Sequence, residues 1–184
     1  MVGIDEVGRG AWAGPLLVVA ARAEKTLPVG LMDSKVLSKK KREELLPILK
    51  KTCDFGEGWV SNVEIDKLGL TKAMKLGVKR ALLALGCQQS ALIIMDGSIN
   101  YCSDEYTKVE CVIKADSLYP IVSAASIYAK VMRDNLMQNL AVEYPKYGFE
   151  KHVGYGTRLH VDGLKEFGVC ELHRMSYRPV AGFA

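Results

Sequence analysis

Three apolar segments of strand length stop at acidic residues, and this pattern most constrains the fold. The segments cover residues 2–5, 92–95 and 109–114, and the acids at or just beyond their ends are Asp5, Glu6, Asp96 and Asp116. Neighbouring side chains on a continuing strand point to opposite faces, so Asp5 and Glu6 can share a site only if their strand ends there. The glycines that follow favour such an end. We therefore expect carboxylates from three strand ends to converge.

Strands and helices alternate along the rest of the chain. Two more strands are indicated at 16–22 and 55–61, the first after a glycine-rich loop that predicts a hairpin. Helical spacing and caps predict helices at 38–51, 64–85, 120–144 and 161–167, and an irregular end near 178–180. A hairpin followed by alternating strands and helices predicts an α/β fold: a mixed five-stranded sheet flanked by helices, with a small C-terminal helical and loop region.

Composition predicts one globular domain and excludes several protein classes. The chain has 184 residues, 49% hydrophobic and 25% charged, a balance typical of a folded domain. The apolar runs are far shorter than the roughly 18 residues of a membrane span, and no signal peptide is visible. Five cysteines without a C-x-x-C pair indicate reduced thiols. We expect a cytoplasmic protein that does not enter membranes.

The net charge of +4 leaves the binding partner open. The basic run at 39–42 is as typical of a solvated helix face as of a surface for a polyanion. Clustered carboxylates are more informative, because they repel one another unless cations neutralise them, and oxygen ligands favour Mg²⁺ or Mn²⁺. Such a site suits phosphodiester hydrolysis. Taken singly, Asp96 or Asp116 could equally be a turn residue. Asp134 could bind metal or pair with Lys130 one helical turn away.

Short motifs spread over nearly the whole chain resemble those of the ribonuclease HII family. They lie in the family's order at residues 3–10, 13–15, 33–35, 96–97, 114–116, 122–127, 129–130, 133–134 and 154–157, with His160 after them. Residues 3–10 read Gly-Ile-Asp-Glu-Val-Gly-Arg-Gly, and residues 154–157 read Gly-Tyr-Gly-Thr. A lone Gly-Arg-Gly would be a weak signal, whereas this ordered set is specific.

The resemblance implies a ribonuclease H-like fold in a single domain, 1–184. Its catalytic core would cover about 1–145, and a substrate-recognition region about 146–184. It also implies an endoribonuclease with two Mg²⁺ or Mn²⁺ ions per site. The enzyme would hydrolyse the RNA strand of RNA–DNA hybrids and incise 5′ of single ribonucleotides in duplex DNA, leaving a 3′-hydroxyl and a 5′-phosphate. The matching acids, catalytic and metal-binding, are Asp5, Glu6, Asp96 and Asp116, with Asp134 as a further acid near the centre.

The same resemblance implies the substrate-binding residues. They are Gly8, Arg9, Gly10, Tyr155, Lys35 and Ser123, with Ser126 beside the last. A glycine loop lets backbone groups approach a minor groove, and the 2′-hydroxyl distinguishes a ribonucleotide from its DNA neighbours. Tyr155 would pack against the sugar on the 3′ side, although an aromatic residue can also fill its own loop. We assign no catalytic role to His160 or His173. We expect Arg174 to touch the nucleic-acid backbone or nothing.

Two details depart from the family pattern, and three alternatives remain open. Trp12 stands where a smaller residue is expected, and Gly97 is followed by Ser98 rather than asparagine. We expect a monomer that binds nucleic acid, and no sliding-clamp-binding tail is visible. Ribonuclease HIII would carry a separate N-terminal domain and a different loop after its acidic pair. A resolvase or integrase of similar fold, or a non-catalytic basic nucleic-acid-binding module, would need no ribonucleotide recognition.

Overall fold

The computed structural model describes residues 1–31 and 37–183. Its centre is the predicted mixed five-stranded sheet, in which the strands run in the order β3-β2-β1-β4-β5. The strands are β1 (Val2–Val7), β2 (Leu16–Ala23), β3 (Cys53–Val60), β4 (Ile93–Asp96) and β5 (Val109–Val112). β1, β2 and β3 pair antiparallel as consecutive hairpins, whereas β4 pairs parallel with both β1 and β5. The predicted fold class is confirmed.

Helices cover both faces of this sheet and a C-terminal region follows. The helices are α1 (Lys39–Thr52), α2 (Asn62–Leu68), α3 (Leu70–Ala84), α4 (Ala115–Leu118), α5 (Pro120–Glu143), α6 (Phe149–His152), α7 (Arg158–Phe167) and α8 (Arg178–Ala181). A 3₁₀ turn, Pro145–Tyr147, joins α5 to α6. One apolar core packs α3 against the sheet, and a second packs α1 and α5 against the other face.

The long helix α5 approaches β1 closely at Gly3. A Cβ at Gly3 would lie 2.7 Å from the backbone of Ile121 in the first turn of α5. Real Cβ atoms do not come so near a backbone, so glycine is required for this packing. The contact fixes the start of α5 beside the strand that carries Asp5 and Glu6.

Several predicted boundaries are wrong in ways that bear on the site. The single helix predicted at 64–85 is two helices, α2 and α3, separated by Gly69 with φ 75°. β1 continues to Val7, so the acidic pair lies within a strand rather than at its end. β5 ends at Val112, and Asp116 lies on α4 instead. The end predicted to be irregular forms α8.

The C-terminal region packs on the loop that joins β1 to β2. The Trp12 N–H donates to the Gly154 carbonyl at 2.8 Å, and the Arg174 N–H donates to the Trp12 carbonyl at 2.8 Å. Ala13 and His173 form an isolated antiparallel bridge. These contacts join the first and last parts of the chain into one surface beside the acidic pair. Across the two described ranges, no helix combines the length and apolar character that crossing a membrane requires.

Candidate active site

Asp5 and Glu6 line one cleft although they are neighbours on a strand. β4 pairs with β1 only as far as Ile4, so the following residues of β1 are not covered by β4 on that side. Asp5 is buried and accepts a hydrogen bond at 2.8 Å from the Glu6 N–H. Glu6 is partly exposed and lies 3.6 Å from the guanidinium of Arg9. Both side chains border a cleft of about 390 Å³.

The parallel pairing of β1 and β4 brings Asp96 next to Asp5. Ile4 lies opposite Met95, and continuing this register by one residue places Asp5 beside Asp96. The Asp96 carboxylate accepts a hydrogen bond at 2.8 Å from the N–H of Ala115, the first residue of α4. Asp116, the next residue, is 2% exposed. The end of β4 therefore holds the short helix that carries Asp116.

Burial and mutual repulsion dominate the electrostatics of these acids. The pKa of Asp5 is raised well above its ordinary value, first by burial and then by the nearby charges of Glu6 and Asp96. A hydrogen bond from the Ser126 hydroxyl opposes this shift. The site thus holds several carboxylates whose negative charges are unfavourable together unless a cation is bound.

The donor atoms fit a hard divalent cation. Asp5, Glu6, Asp96 and Asp116 offer carboxylate oxygens, the ligands that Mg²⁺ and Mn²⁺ prefer. Within residues 1–31 and 37–183, no three His, Cys, Asp or Glu side chains are grouped so as to hold an ion directly. Backbone N–H groups hold one oxygen each of Asp5 and Asp96.

Asp134 lies apart from this cleft. Its carboxylate pairs with the Lys130 ammonium at 2.8 Å, the pairing one helical turn away that the sequence left open. It borders a small separate crevice together with Lys39, Arg42 and Glu43 of α1. Lys130, in contrast, lines the main cleft. Asp134 thus contacts a residue of the site without itself lining the cleft.

The Gly8-Arg9-Gly10 loop forms the wall of the cleft next to the acids. Gly8 has φ +85°, and a Cβ there would lie 2.2 Å from Nε of Arg133. Gly10 has no atom within 4 Å of a Cβ position, so the chain itself does not require glycine there. The first glycine is fixed by internal packing. The second leaves open space in front of the loop.

Tyr155 lines the same cleft as the acids. Its hydroxyl accepts a hydrogen bond at 3.1 Å from the Gly8 N–H, although 147 positions separate the two residues. The Arg133 guanidinium lies 5.5 Å from the centroid of the Tyr155 ring, and the Lys130 ammonium lies 6.0 Å from it. The loop and the tyrosine that sequence motifs pointed to separately are thus in direct contact.

Two buried arginines support this loop, a role that the sequence did not indicate for either of them. Arg133 is 0% exposed and donates to the carbonyls of Pro15, Ala13 and Val153. Burial lowers its pKa to about 10. The sequence signal for this role was an arginine within an apolar helix such as α5, because a buried charge requires specific partners.

Arg174 supports the same loop from the other side. It is 0% exposed and donates to the carbonyls of Gly14 and Arg9, and the Tyr177 hydroxyl donates to the Arg9 carbonyl at 2.6 Å. The guanidinium of Arg174 is thus committed to carbonyls inside the protein.

The remaining predicted residues have local roles or lie outside the described part. Ser123 is buried, and its hydroxyl donates to the carbonyl of Asp116, which fastens α4 to α5. Lys35 lies outside the described residues. Trp12, which departs from the family pattern, fits because Gly156 has no side chain: a Cβ there would lie 2.2 Å from the indole.

The sequence and the fold match known proteins over almost the whole chain. The sequence model of the family described as Ribonuclease HII matches residues 2–180. The Ribonuclease HII of Shewanella loihica is 43% identical over 180 residues, which are 97% of this chain and 86% of that protein. The structure of the PCNA:RNase HII complex from Archaeoglobus fulgidus has a TM-score of 0.83 at 27% identity, covering 99% of this chain and 95% of that one.

A more distant structure shares the fold. Bst-RNase HIII in complex with Mn²⁺ has a TM-score of 0.73 at 23% identity, covering 98% of this chain and 67% of that one. The family match favours ribonuclease HII over HIII, and over a resolvase or a non-catalytic binding module. The sequence-based assignment is confirmed. The chain therefore belongs to the ribonuclease HII family, whose members are endonucleases acting on RNA in RNA–DNA hybrids.

Proposed function

We propose that this enzyme, besides cutting the RNA strand of hybrids, incises duplex DNA on the 5′ side of a single embedded ribonucleotide. The products would carry a 3′-hydroxyl and a 5′-phosphate. One observation carries the proposal: the acidic pair, the Gly8-Arg9-Gly10 loop and Tyr155 border the same cleft. Cleavage of the strand and recognition of the ribose can therefore occur on adjacent nucleotides.

The four acids are proposed to hold two Mg²⁺ or Mn²⁺ ions, and the fit of their oxygen donors supports this assignment. Such ions, when bound, activate the attacking water and stabilise the leaving oxygen. The protein's part is to hold Asp5 and Glu6 on β1, Asp96 at the end of β4 and Asp116 on α4, so that the four residues lie around one end of these strands. Asp134 would act indirectly, by holding the Lys130 ammonium beside the cleft.

Recognition of the ribonucleotide is proposed to belong to the loop and Tyr155. The open space in front of Gly10 allows backbone groups to approach a minor groove, where the 2′-hydroxyl is exposed. The ring of Tyr155 would pack on the sugar at the 3′ side and accept a deoxyribose by shape. Arg9, whose side chain is about half exposed, would supply positive charge for a phosphate. Lys35 and Ser123 remain proposed as supporting residues, Ser123 through its bond to Asp116.

A substrate comparison tests the proposal. Cleavage is measured on a DNA duplex with one ribonucleotide and on a continuous RNA–DNA hybrid, each with Mg²⁺ and with Mn²⁺. We expect cleavage of both, with incision 5′ of the single ribonucleotide. An enzyme that cuts the hybrid and leaves the single-ribonucleotide duplex intact would remove the junction-recognition part.

The metal assignment is tested at Asp96. Asp96→Asn keeps an oxygen that can accept from the Ala115 N–H, so the fold is preserved while a ligand charge is lost. We expect the cleavage rate to fall by at least about two orders of magnitude, while binding of the substrate duplex by fluorescence anisotropy is retained. Asp104→Asn, at an exposed acid away from the cleft, is the matched control. Undiminished turnover of Asp96→Asn would exclude Asp96 from the site.

A further inference from the structure

Three histidines are buried together behind Tyr155, and the proposed mechanism does not use them. His152, His160 and His173 are 6%, 0% and 1% exposed. The rings of His152 and His160 are stacked with centroids 4.5 Å apart, and those of His160 and His173 are 5.2 Å apart. Burial lowers the pKa of all three, and that of His160 to about 4. The cluster is thus neutral at physiological pH.

The contacts of these rings determine which nitrogens carry hydrogens. His160 Nδ1 lies 3.0 Å from the Tyr155 carbonyl, which can only accept, so Nδ1 carries the proton. In a neutral ring, His160 Nε2 is then an acceptor, and its partner at 3.0 Å, His173 Nε2, must be the donor. His173 Nδ1 is consequently an acceptor, and it receives the Cys170 N–H at 2.8 Å. The Cys170 thiol lies 3.2 Å from the same nitrogen.

His152 holds the residue on the other side of Tyr155. Its Nε2 lies 2.8 Å from the Tyr147 carbonyl and therefore carries the proton. Its Nδ1 accepts the Gly154 N–H at 3.3 Å. Tyr155 is thus fixed through the N–H of the preceding residue, through its own carbonyl, and through its hydroxyl, which accepts from Gly8. His173 Nδ1 also lies 3.2 Å from the Cys170 carbonyl, and the shorter contact with the Cys170 N–H assigns this nitrogen as the acceptor.

We propose that His160 is a positioning residue for ribonucleotide recognition, acting through the Tyr155 carbonyl and held in its rare tautomer by His173. The inference rests on the proposed function, in which Tyr155 contacts the sugar. The donors run from the Cys170 N–H through His173 and His160 to the Tyr155 carbonyl, and the loop joins from the other side, where the Gly8 N–H donates to the Tyr155 hydroxyl. A shift of the Tyr155 ring by a fraction of its width would misplace the surface that contacts the sugar.

Tautomers in the unmodified enzyme give the first test. Long-range ¹H–¹⁵N correlation NMR separates Nδ1–H from Nε2–H histidines. We expect His160 as Nδ1–H, and His152 and His173 as Nε2–H, at neutral pH. His160 observed as Nε2–H would overturn the proposal, because it could not then donate to Tyr155.

A comparison of variants separates positioning from mere stability. His160→Phe fills the same space without the two polar contacts, whereas His160→Asn keeps a donor near the Nδ1 position. Phe149→Leu is the matched control, because Phe149 is 0% exposed and packs edge-on against the His160 ring, 5.6 Å away, without contacting the Tyr155 carbonyl. For each folded variant, kcat/KM is measured on the single-ribonucleotide duplex and on the hybrid.

We expect His160→Phe to lower kcat/KM on the single-ribonucleotide duplex about tenfold more than on the hybrid. His160→Asn should restore part of the difference, and Phe149→Leu should change both substrates equally. In a Tyr155→Ala background, His160→Phe should not lower the preference for the single-ribonucleotide duplex any further, because both changes act through Tyr155. Equal losses on both substrates in His160→Phe would overturn the positioning role.

Tyr155→Ala distinguishes a failure of recognition by Tyr155 from a failure of the positioning role of His160. If Tyr155→Ala leaves both activities unchanged, recognition by Tyr155 fails, and the role of His160 fails with it. If Tyr155→Ala lowers the preference for the single ribonucleotide while His160→Phe does not, only the positioning role is overturned.

Discussion

Gly8 and Gly10 flank the same arginine, yet their surroundings differ. Gly8 has a positive φ and lies against Arg133, whose guanidinium is tied to three carbonyls and cannot move aside. A Cβ at Gly10 would meet nothing within 4 Å. The protein itself therefore requires glycine at the first position but not at the second, where only the proposed approach of a nucleic acid would make use of the open space.

This difference predicts opposite effects of the same substitution. Gly8→Ala should lower the free energy of unfolding by roughly 2–4 kcal/mol, because it adds a left-handed strain and a collision with Arg133. Gly10→Ala should change it by less than about 0.5 kcal/mol. It should nevertheless impair cleavage of the single-ribonucleotide duplex. Urea unfolding and initial rates check both statements. A stable Gly8→Ala, or a fully active Gly10→Ala, would contradict them.

At the scale of elements, the strands were predictable and several boundaries were not. Most of the strands are short segments of apolar or alternating residues bounded by turn residues, so the local pattern suffices to find them. The break at Gly69 escaped prediction because a glycine costs a helix only about 1 kcal/mol, and tertiary packing decides whether the helix continues. Asp116 was placed on a strand end because the pattern does not reveal that Lys114 adopts a left-handed conformation before α4.

The acids of the site were predictable as well, whereas their supports were not. Asp5 and Asp96 stand at visible positions in the sequence pattern. Arg133 and Arg174 act on loop carbonyls that are 118 to 120 and 160 to 165 positions away in sequence. No local periodicity reports such contacts. The neighbourhood of these carboxylates could thus be inferred from sequence, but the means by which the loop is held could not.

The start of α2 offers a test at the element scale. Ser61 and Glu64 form a capping box, and Arg80 of α3 binds the Glu64 carboxylate at 2.7 Å. Ser61→Ala should lower the free energy of unfolding by about 1 kcal/mol through loss of the cap. Ser90→Ala, in an exposed turn, serves as the control. Equal urea midpoints for the two variants would show that the cap contributes nothing.

For the whole molecule, the buried histidines predict a dependence of stability on pH. Each has a folded pKa below its unfolded value of about 6.5, so the unfolded chain binds more protons as the pH falls below that value. The contribution of these histidines to stability should therefore be full above about pH 6.5 and decline toward pH 4. His160 alone contributes a loss of about 2 kcal/mol between pH 7 and pH 5.

Urea unfolding at pH 7, 6 and 5 checks this prediction. The same series on His160→Phe should give a shallower decline, whatever its stability at pH 7, because one titrating group is gone. An identical slope in the variant and the parent would assign the pH dependence to other groups.

The contacts that hold the Gly8-Arg9-Gly10 loop also determine when during folding the site can form. The Gly8 N–H meets Tyr155, and the carbonyls of Arg9 and Gly14 meet Arg174, so contacts join the two ends of the sequence. Closing such long loops is slow and entropically costly, and it cannot begin before both partners are present. A chain that ends before Arg174 and Tyr177 would therefore contain Asp5 and Glu6 but lack the contacts that hold the loop beside them.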